Sequence, residues 1–344
     1  MKKLSIILIV LFTAVGASAQ ILPDSTVQIC SNWAVGEQYD YYVDKSVKKV
    51  NSQGDTTTNE LTSMIMRFEV IGKSESAYQM HLTYLDEKST NQQTELIYQI
   101  SRESGVNMPI RFTTSQHGTL MSIDNLEEIA AEYEKLLDPI IEISTANLTE
   151  AEKKTLDTSE LREVLRAMLC NPQTIQTGIL DDIGRLYFFH GARLEMDETY
   201  KMEEPLSFVF PGVDNITANT SIWVDGEFTD EYSAVCRTYT CAELGDEFLV
   251  DAVEGTMNMV TDVMAVPDSL KTQLKEEINS RTDKQSIGYQ FILEQYTTEE
   301  VHLATGWPLN LYINKYIKAG TSAGEMEETI ERRSMEIILP DGNE

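Results

Sequence analysis

Apolar and polar residues alternate along much of the first third of the chain. Met64, Met66, Phe68 and Val70 are interleaved with Ile65, Arg67 and Glu69, and Tyr78, Met80, Leu82 and Tyr84 with Gln79, His81 and Thr83. A period of two sends successive side chains to opposite faces of a strand, so both stretches predict β-structure with one wet face. The same logic predicts a β-rich region from Trp33 to Lys45, whose first strand opens at Gly36 and runs through Tyr41, Tyr42 and Val43. Further strands are expected at 96–100, 110–114 and 120–123, with polar turns at 51–54 and 116–118. Together these form an antiparallel meander.

The period changes at Asp124. Asp124 and Glu127 have the spacing of a capping box, and Leu126, Ile129, Ala130, Tyr133, Leu136 and Leu137 share one helical face. Pro139 predicts an end or a kink. Thr149 and Glu152 suggest a second capping box before the stripe Leu161, Val164, Leu165, Met168 and Leu169. Asn171 followed by Pro172 predicts a third helix start, with Ile175, Ile179, Ile183 and Leu186 on one face. Strands return at 202–210, 219–224 and 232–241, helices at 248–263 and 267–281. The chain then closes in a predicted four-stranded meander at 287–296, 300–303, 308–318 and 326–339. The expected class is α+β, with antiparallel meanders at both ends packed on a helical middle.

Residues 1–19 have the pattern of a signal peptide: Lys2 and Lys3, an uncharged apolar run from Leu4 to Val15, then Ala17-Ser18-Ala19 before Gln20. The run is too short to span a bilayer, which takes about 20 residues. Residues 20–344 are expected to form one large domain, or two interleaved lobes of about 20–190 and 191–344. The expected location is periplasmic or extracellular, soluble after cleavage. Net charge is −29, and removing two lysines makes it −31. Such acidity argues against nucleic acid and against anionic lipid headgroups as partners. Cys30, Cys170, Cys236 and Cys241 allow three disulfide pairings. On one strand, five residues apart, Cys236 and Cys241 face opposite ways and cannot bond each other.

Gly320-Thr321-Ser322-Ala323-Gly324 spells the G-x-S-x-G nucleophile elbow. That elbow follows a buried parallel strand, and its acid and His come later in the chain. Here Leu309, Leu311 and Ile313 alternate with Asn310, Tyr312 and Asn314, and no His follows Ser322. A hairpin loop is the favoured interpretation. Ser322→Ala should change stability by no more than about 0.5 kcal/mol, and a fluorophosphonate probe should not label Ser322.

His81, His117, His190 and His302 show no metal-ligand spacing, and His190-Gly191-Ala192-Arg193 is expected to end a helix. Ser46-x-x-Lys49 matches a penicillin-recognising string but falls at a predicted hairpin rather than a helix start. The acidic groups Asp181-Asp182, Asp225-Gly226-Glu227 and Asp230-Glu231 are expected to be solvated. No catalytic, cofactor-binding or metal-ligating residue is assigned.

Thr305-Gly306-Trp307-Pro308 forms a corner before a long alternating strand. This corner resembles the C-terminal meanders of uncharacterised exported proteins of Bacteroidota and, more distantly, LolA-like lipoprotein carriers. The second resemblance implies a curved antiparallel sheet that closes over helices and holds acyl chains. The long helical middle departs from that pattern, and no site residue is carried over. The leading expectation is therefore a non-enzymatic exported protein that binds or carries an apolar small molecule or lipid. Met64, Met66, Phe68 and Met80 are the candidate lining, with plain core the favoured interpretation of them. The alternatives are a hydrolase with a carboxylate pair, acting on glycan or peptide, and a structural envelope-interaction protein. Two close carboxyls of raised pKa would mark the first, a large apolar patch the second.

Overall fold

The computed structural model describes residues 26–146, 158–205, 217–229, 232–245, 248, 255, 288–321 and 325–339. Among these, eleven strands form one antiparallel sheet. The N-terminal meander contributes β2 (Gln38–Val50), β3 (Thr56–Lys73), β4 (Ala77–Ser89), β5 (Ile110–Ser115) and β6 (Leu120–Ile123). The C-terminal part contributes β8 (Tyr200–Pro205), β9 (Thr217–Val224), β10 (Ser233–Leu244), β11 (Tyr289–His302), β12 (Pro308–Thr321) and β13 (Glu325–Ile338). The order is β6-β5-β4-β3-β2-β13-β12-β11-β10-β9-β8. The two meanders join where β13 pairs with β2, Met335 opposite Val43 and Ile337 opposite Tyr41. A separate ribbon pairs β1 (Thr26–Gln28) with β7 (Arg193–Glu195), which the alternation did not predict.

Alternation decides the two faces as expected. Tyr41, Val43, Met66, Phe68, Val70, Met80 and Leu82 are buried on the inner face. The helical middle of the chain comprises α2 (Leu126–Ala146), α3 (Thr158–Leu169) and α4 (Pro172–Ile183). Ile129 and Ala130 of α2 and Ile175, Ile179 and Ile183 of α4 belong to the same buried cluster as those strand residues. Met64, Met66, Phe68 and Met80 are thus core. The Asn171 side-chain Oδ1 caps α4 by accepting from the backbone N–H groups of Gln173 (2.8 Å) and Thr174 (3.3 Å), as the Asn-Pro pair predicts.

Several expectations need correction. Residues 96–100 lie in helix α1 (Gln92–Glu103), not a strand. The Asn91 side chain caps it at 2.9 and 3.1 Å, and the i, i+4 pair Leu96 and Ile100 is one helical face rather than an alternation. The Asp124 capping box does not form. Thr113 and Ser122 hydroxyls donate to the Asp124 carboxylate at 2.7 and 2.6 Å, and the helix starts after Asn125. Pro139 lies inside α2, which continues to Ala146. The closing meander has three strands, because 297–300 continue β11 and pair on both sides. The helix before His190 ends at Ile183. The leader, the Thr149 capping box, the end of the 202–210 strand, the helix at 267–281, Asp230-Glu231 and Ser322 lie outside the described residues, as does the 248–263 helix apart from residues 248 and 255, both helical. Thr321 and Glu325 face each other across the β12–β13 hairpin that flanks Ser322.

Candidate functional site

The inner faces of β9, β10 and β11 carry polar residues at positions where their neighbours are apolar. Along β11, Phe291 and Leu293 begin the inward set and Val301 ends it, and between them the same phase holds Gln295, Thr297 and Glu299. Along β10 the inward set runs Ala234, Cys236, Thr238, Thr240 and Ala242, and along β9 Ala218, Thr220, Ile222 and Val224. Register aligns these polar residues into a belt. Glu299 stands opposite Cys236, Thr297 opposite Thr238, and Gln295 opposite Thr240, which faces Thr220. All six polar residues are buried, Glu299 completely. Apolar clusters flank the belt: Val224, Ala234, Cys236 and Val301 on one side, Ala218, Ala242, Phe291 and Leu293 on the other.

The two ends of the belt differ in their bonding. At one end the Thr220 and Thr240 hydroxyls lie 3.0 Å apart, Thr220 donates to Glu204 at 2.9 Å, and Glu204 pairs with Arg185 at 3.0 Å. At the other end the Thr238, Thr297 and Tyr187 hydroxyls and both Glu299 carboxyl oxygens have no hydrogen-bond partner among the described residues. Buried polar groups in folded proteins are nearly always bonded, and each exception calls for a cause. Burial pushes the Glu299 carboxyl well above its usual range, which favours its protonated, neutral form. Burial, then the Glu299 charge, raises Tyr187, and burial, then Glu299 and Asp225, raises Cys236. This end therefore presents neutral O–H groups that can donate to or accept from a ligand.

Tyr187 reaches the belt from an aromatic hub. Trp33 stacks on Trp307 at 4.7 Å and meets Tyr187 edge-on at 6.0 Å. His190 lies 5.4 Å from Tyr187, and its Nε2–H donates to the Gly306 carbonyl at 2.7 Å. Burial lowers His190 to about 4, against a weaker opposing effect of that hydrogen bond, so the ring is neutral at pH 7. The Thr305-Gly306-Trp307-Pro308 corner serves this hub. Gly306 has φ 73°, and a Cβ there would lie 2.2 Å from the Cys30 carbonyl oxygen. Trp307 Nε1 donates to Glu37 at 2.9 Å.

The residues singled out from the sequence are dispersed. His81 and His302 are half-buried on strands, His117 is in the 116–118 turn, and His190 alone is buried. The four cysteines form no disulfide with one another, and Cys236 is buried while Cys241 is half-buried on the opposite face of β10. Asp182 pairs with Lys45 and accepts from the Tyr84 hydroxyl at 2.6 Å, Asp181 pairs with Arg333, and Asp225 holds Arg237 at 2.8 Å. Ser46 and Lys49 both lie in β2. Among the described residues no group of three His, Cys, Asp or Glu is arranged to hold a metal ion, and no helix is long and apolar enough to cross a membrane. Glu299, Thr297, Thr238 and Tyr187 were missed from the sequence. The phase shared by Phe291, Leu293 and Val301 points to 295, 297 and 299 as inward, once β11 is seen as unbroken.

No protein-family model matches the chain, and no curated protein matches it. Among solved structures, one of lipovitellin concerned with its lipid–protein interactions aligns at 9% identity and a TM-score of 0.38, covering 91% of this chain and 26% of that one. The chain thus spans about a quarter of lipovitellin's length. Salmonella typhi OmpF in complex with daunomycin aligns at 7% identity and a TM-score of 0.21, covering 87% and 98%. An outer membrane channel from Pseudomonas putida F1 aligns at 6% and 0.18, covering 90% and 97%.

Proposed function

We propose that the chain is an exported binding module for an amphiphile, whose uncharged polar end lies at Glu299, Thr297, Thr238 and Tyr187. The observation that carries this is the convergence of buried, partnerless hydroxyl and carboxyl groups between two apolar clusters. Five such atoms would each cost roughly 1–3 kcal/mol if they served only the fold. A ligand with an ester, amide or hydroxyl group bonds to them, while its apolar part lies along the flanking clusters. The burial that raises the Glu299 carboxyl disfavours charge at this end, which suits an uncharged polar group better than an anionic one. Export rests on the sequence pattern of residues 1–19.

The hydrolase alternative needs a second carboxyl near the first. The register neighbours of Glu299 are Cys236 and Leu311, and its same-face neighbours on β11 are Thr297 and Val301. Among the described residues the other carboxyl raised by burial, Glu87, is on β4, where Arg102 acts to lower it. Glu299 therefore acts as a hydrogen-bonding group in this account. Native mass spectrometry of the protein purified from its own host tests the proposal. A retained neutral amphiphile is expected, and a chain that carries no adduct after gentle purification would count against it.

A further inference from the structure

The opposite face of the same sheet carries a second arrangement. Register places Glu300, Asn310, Glu336 and Tyr42 in one row across β11, β12, β13 and β2, and Thr298, Tyr312, Ser334 and Asp44 in the next. A recess of about 310 Å³ opens there, lined by Glu300, Asn310, Tyr312, Ser334, Glu336 and Leu339 among others. Tyr42 and Tyr312 flank Ser334 and Glu336 and are 46% and 43% exposed. From strand spacing and rise, their Cα atoms are about 12 Å apart on the diagonal. Asn310 Nδ2 donates to Glu300 at 2.7 Å, which fixes both groups at the rim. Within these rows Asp44 Oδ1 has no hydrogen-bond partner among the described residues, and neither does Asn314 Oδ1, two residues along β12 from Tyr312.

The geometry points to a binding site for a neutral oligosaccharide on this outer face. Tyrosine rings offer flat apolar faces with a polar edge, which suit the C–H faces of sugar rings. The carboxylate and amide oxygens around them are acceptors, and a polyhydroxyl ligand brings the donors. Side chains that rise from Cα atoms about 12 Å apart are spaced more widely than one pyranose, so a chain of sugars engages both. A net charge of −29 and the rim carboxylates repel acidic sugars. The carboxylates are not grouped to hold a cation, among the described residues.

Isothermal titration with cellohexaose, xylohexaose, mannohexaose and hexa-N-acetylchitohexaose, with hexagalacturonate beside them, tests this. Saturable binding of at least one neutral hexasaccharide and none of hexagalacturonate is expected. Tyr312→Ala and Tyr42→Ala, both exposed and so expected to fold, should each weaken that binding at least tenfold. Thr297→Val, on the inner face, should leave it unchanged, which separates this site from the amphiphile site. Absence of binding by all neutral probes at millimolar concentration, preference for hexagalacturonate, or wild-type affinity in Tyr312→Ala would each overturn the assignment.

Discussion

The inner face of the sheet has two halves built by the same alternation and filled differently. Across β2, β3 and β4 the inward positions are Tyr41, Val43, Met64, Met66, Phe68, Val70, Tyr78, Met80 and Leu82, and they pack into one cluster with α2 and α4 residues. Across β9, β10 and β11 the equivalent positions include Thr220, Thr238, Thr240, Gln295, Thr297 and Glu299, equally buried. The first half gains stability from apolar area removed from water, roughly 25 cal/mol per Å². The second forgoes much of that gain and leaves hydroxyls and a carboxyl without partners. The two halves are equally buried and unequally satisfied, and the proposed binding role rests on that difference.

Breaking the first half should have the largest effect. Phe68 is fully buried and meets Tyr41 and Phe112 edge-on, so Phe68→Ala should cost about 3–5 kcal/mol by chemical denaturation. Acid should act next, at the hub between the halves. His190 is held to about 4 when folded, against an ordinary value of 6.5. Between those values the unfolded chain takes up a proton that the folded chain does not. Stability is thus fully present above pH 6.5 and falls as pH drops towards 4, by up to about 3 kcal/mol. His190→Gln should flatten that slope in urea titrations at pH 4.5 and 7.

Glu299 has the opposite sign. Its folded pKa is raised, so the unfolded chain loses its proton first as pH rises above the ordinary carboxyl value, and stability declines towards alkaline pH. Glu299→Gln keeps a neutral group and should raise the melting temperature by a few degrees at pH 8, by roughly 2–4 °C for each kcal/mol gained, with little change at pH 4. The smallest effect should come from Thr297→Val, which removes a partnerless hydroxyl while keeping the shape. Its stability should stay within about 1 kcal/mol of wild type or rise, in contrast to the loss at Phe68.

How much of this was legible in the sequence follows the same division. The apolar half was legible because Met66 to Val70 and Tyr78 to Leu82 alternate apolar with polar, and the Asn171-Pro172 start of α4 because its cap is local chemistry. The 96–100 segment was misread because a five-residue window cannot separate Leu96 and Ile100 on a helix face from a short strand. The belt was missed for a different reason. Thr297-Thr298-Glu299-Glu300 is polar on both phases, and it resembles a break between strands. Only pairing with β10 and β12 shows that one phase is buried. Nothing local in the sequence around Tyr187 announces that it meets a strand more than a hundred residues later.

If the partnerless end of the belt exists for a ligand, removing its hydroxyls should cost binding and not stability. Monooleoylglycerol is titrated into wild type and into the Thr238→Val/Thr297→Val double variant, and the stability of both is determined without ligand. The variant should be at least as stable as wild type and bind at least tenfold more weakly. A variant that loses stability while binding monooleoylglycerol with unchanged affinity would contradict it, and would make the belt part of the scaffold.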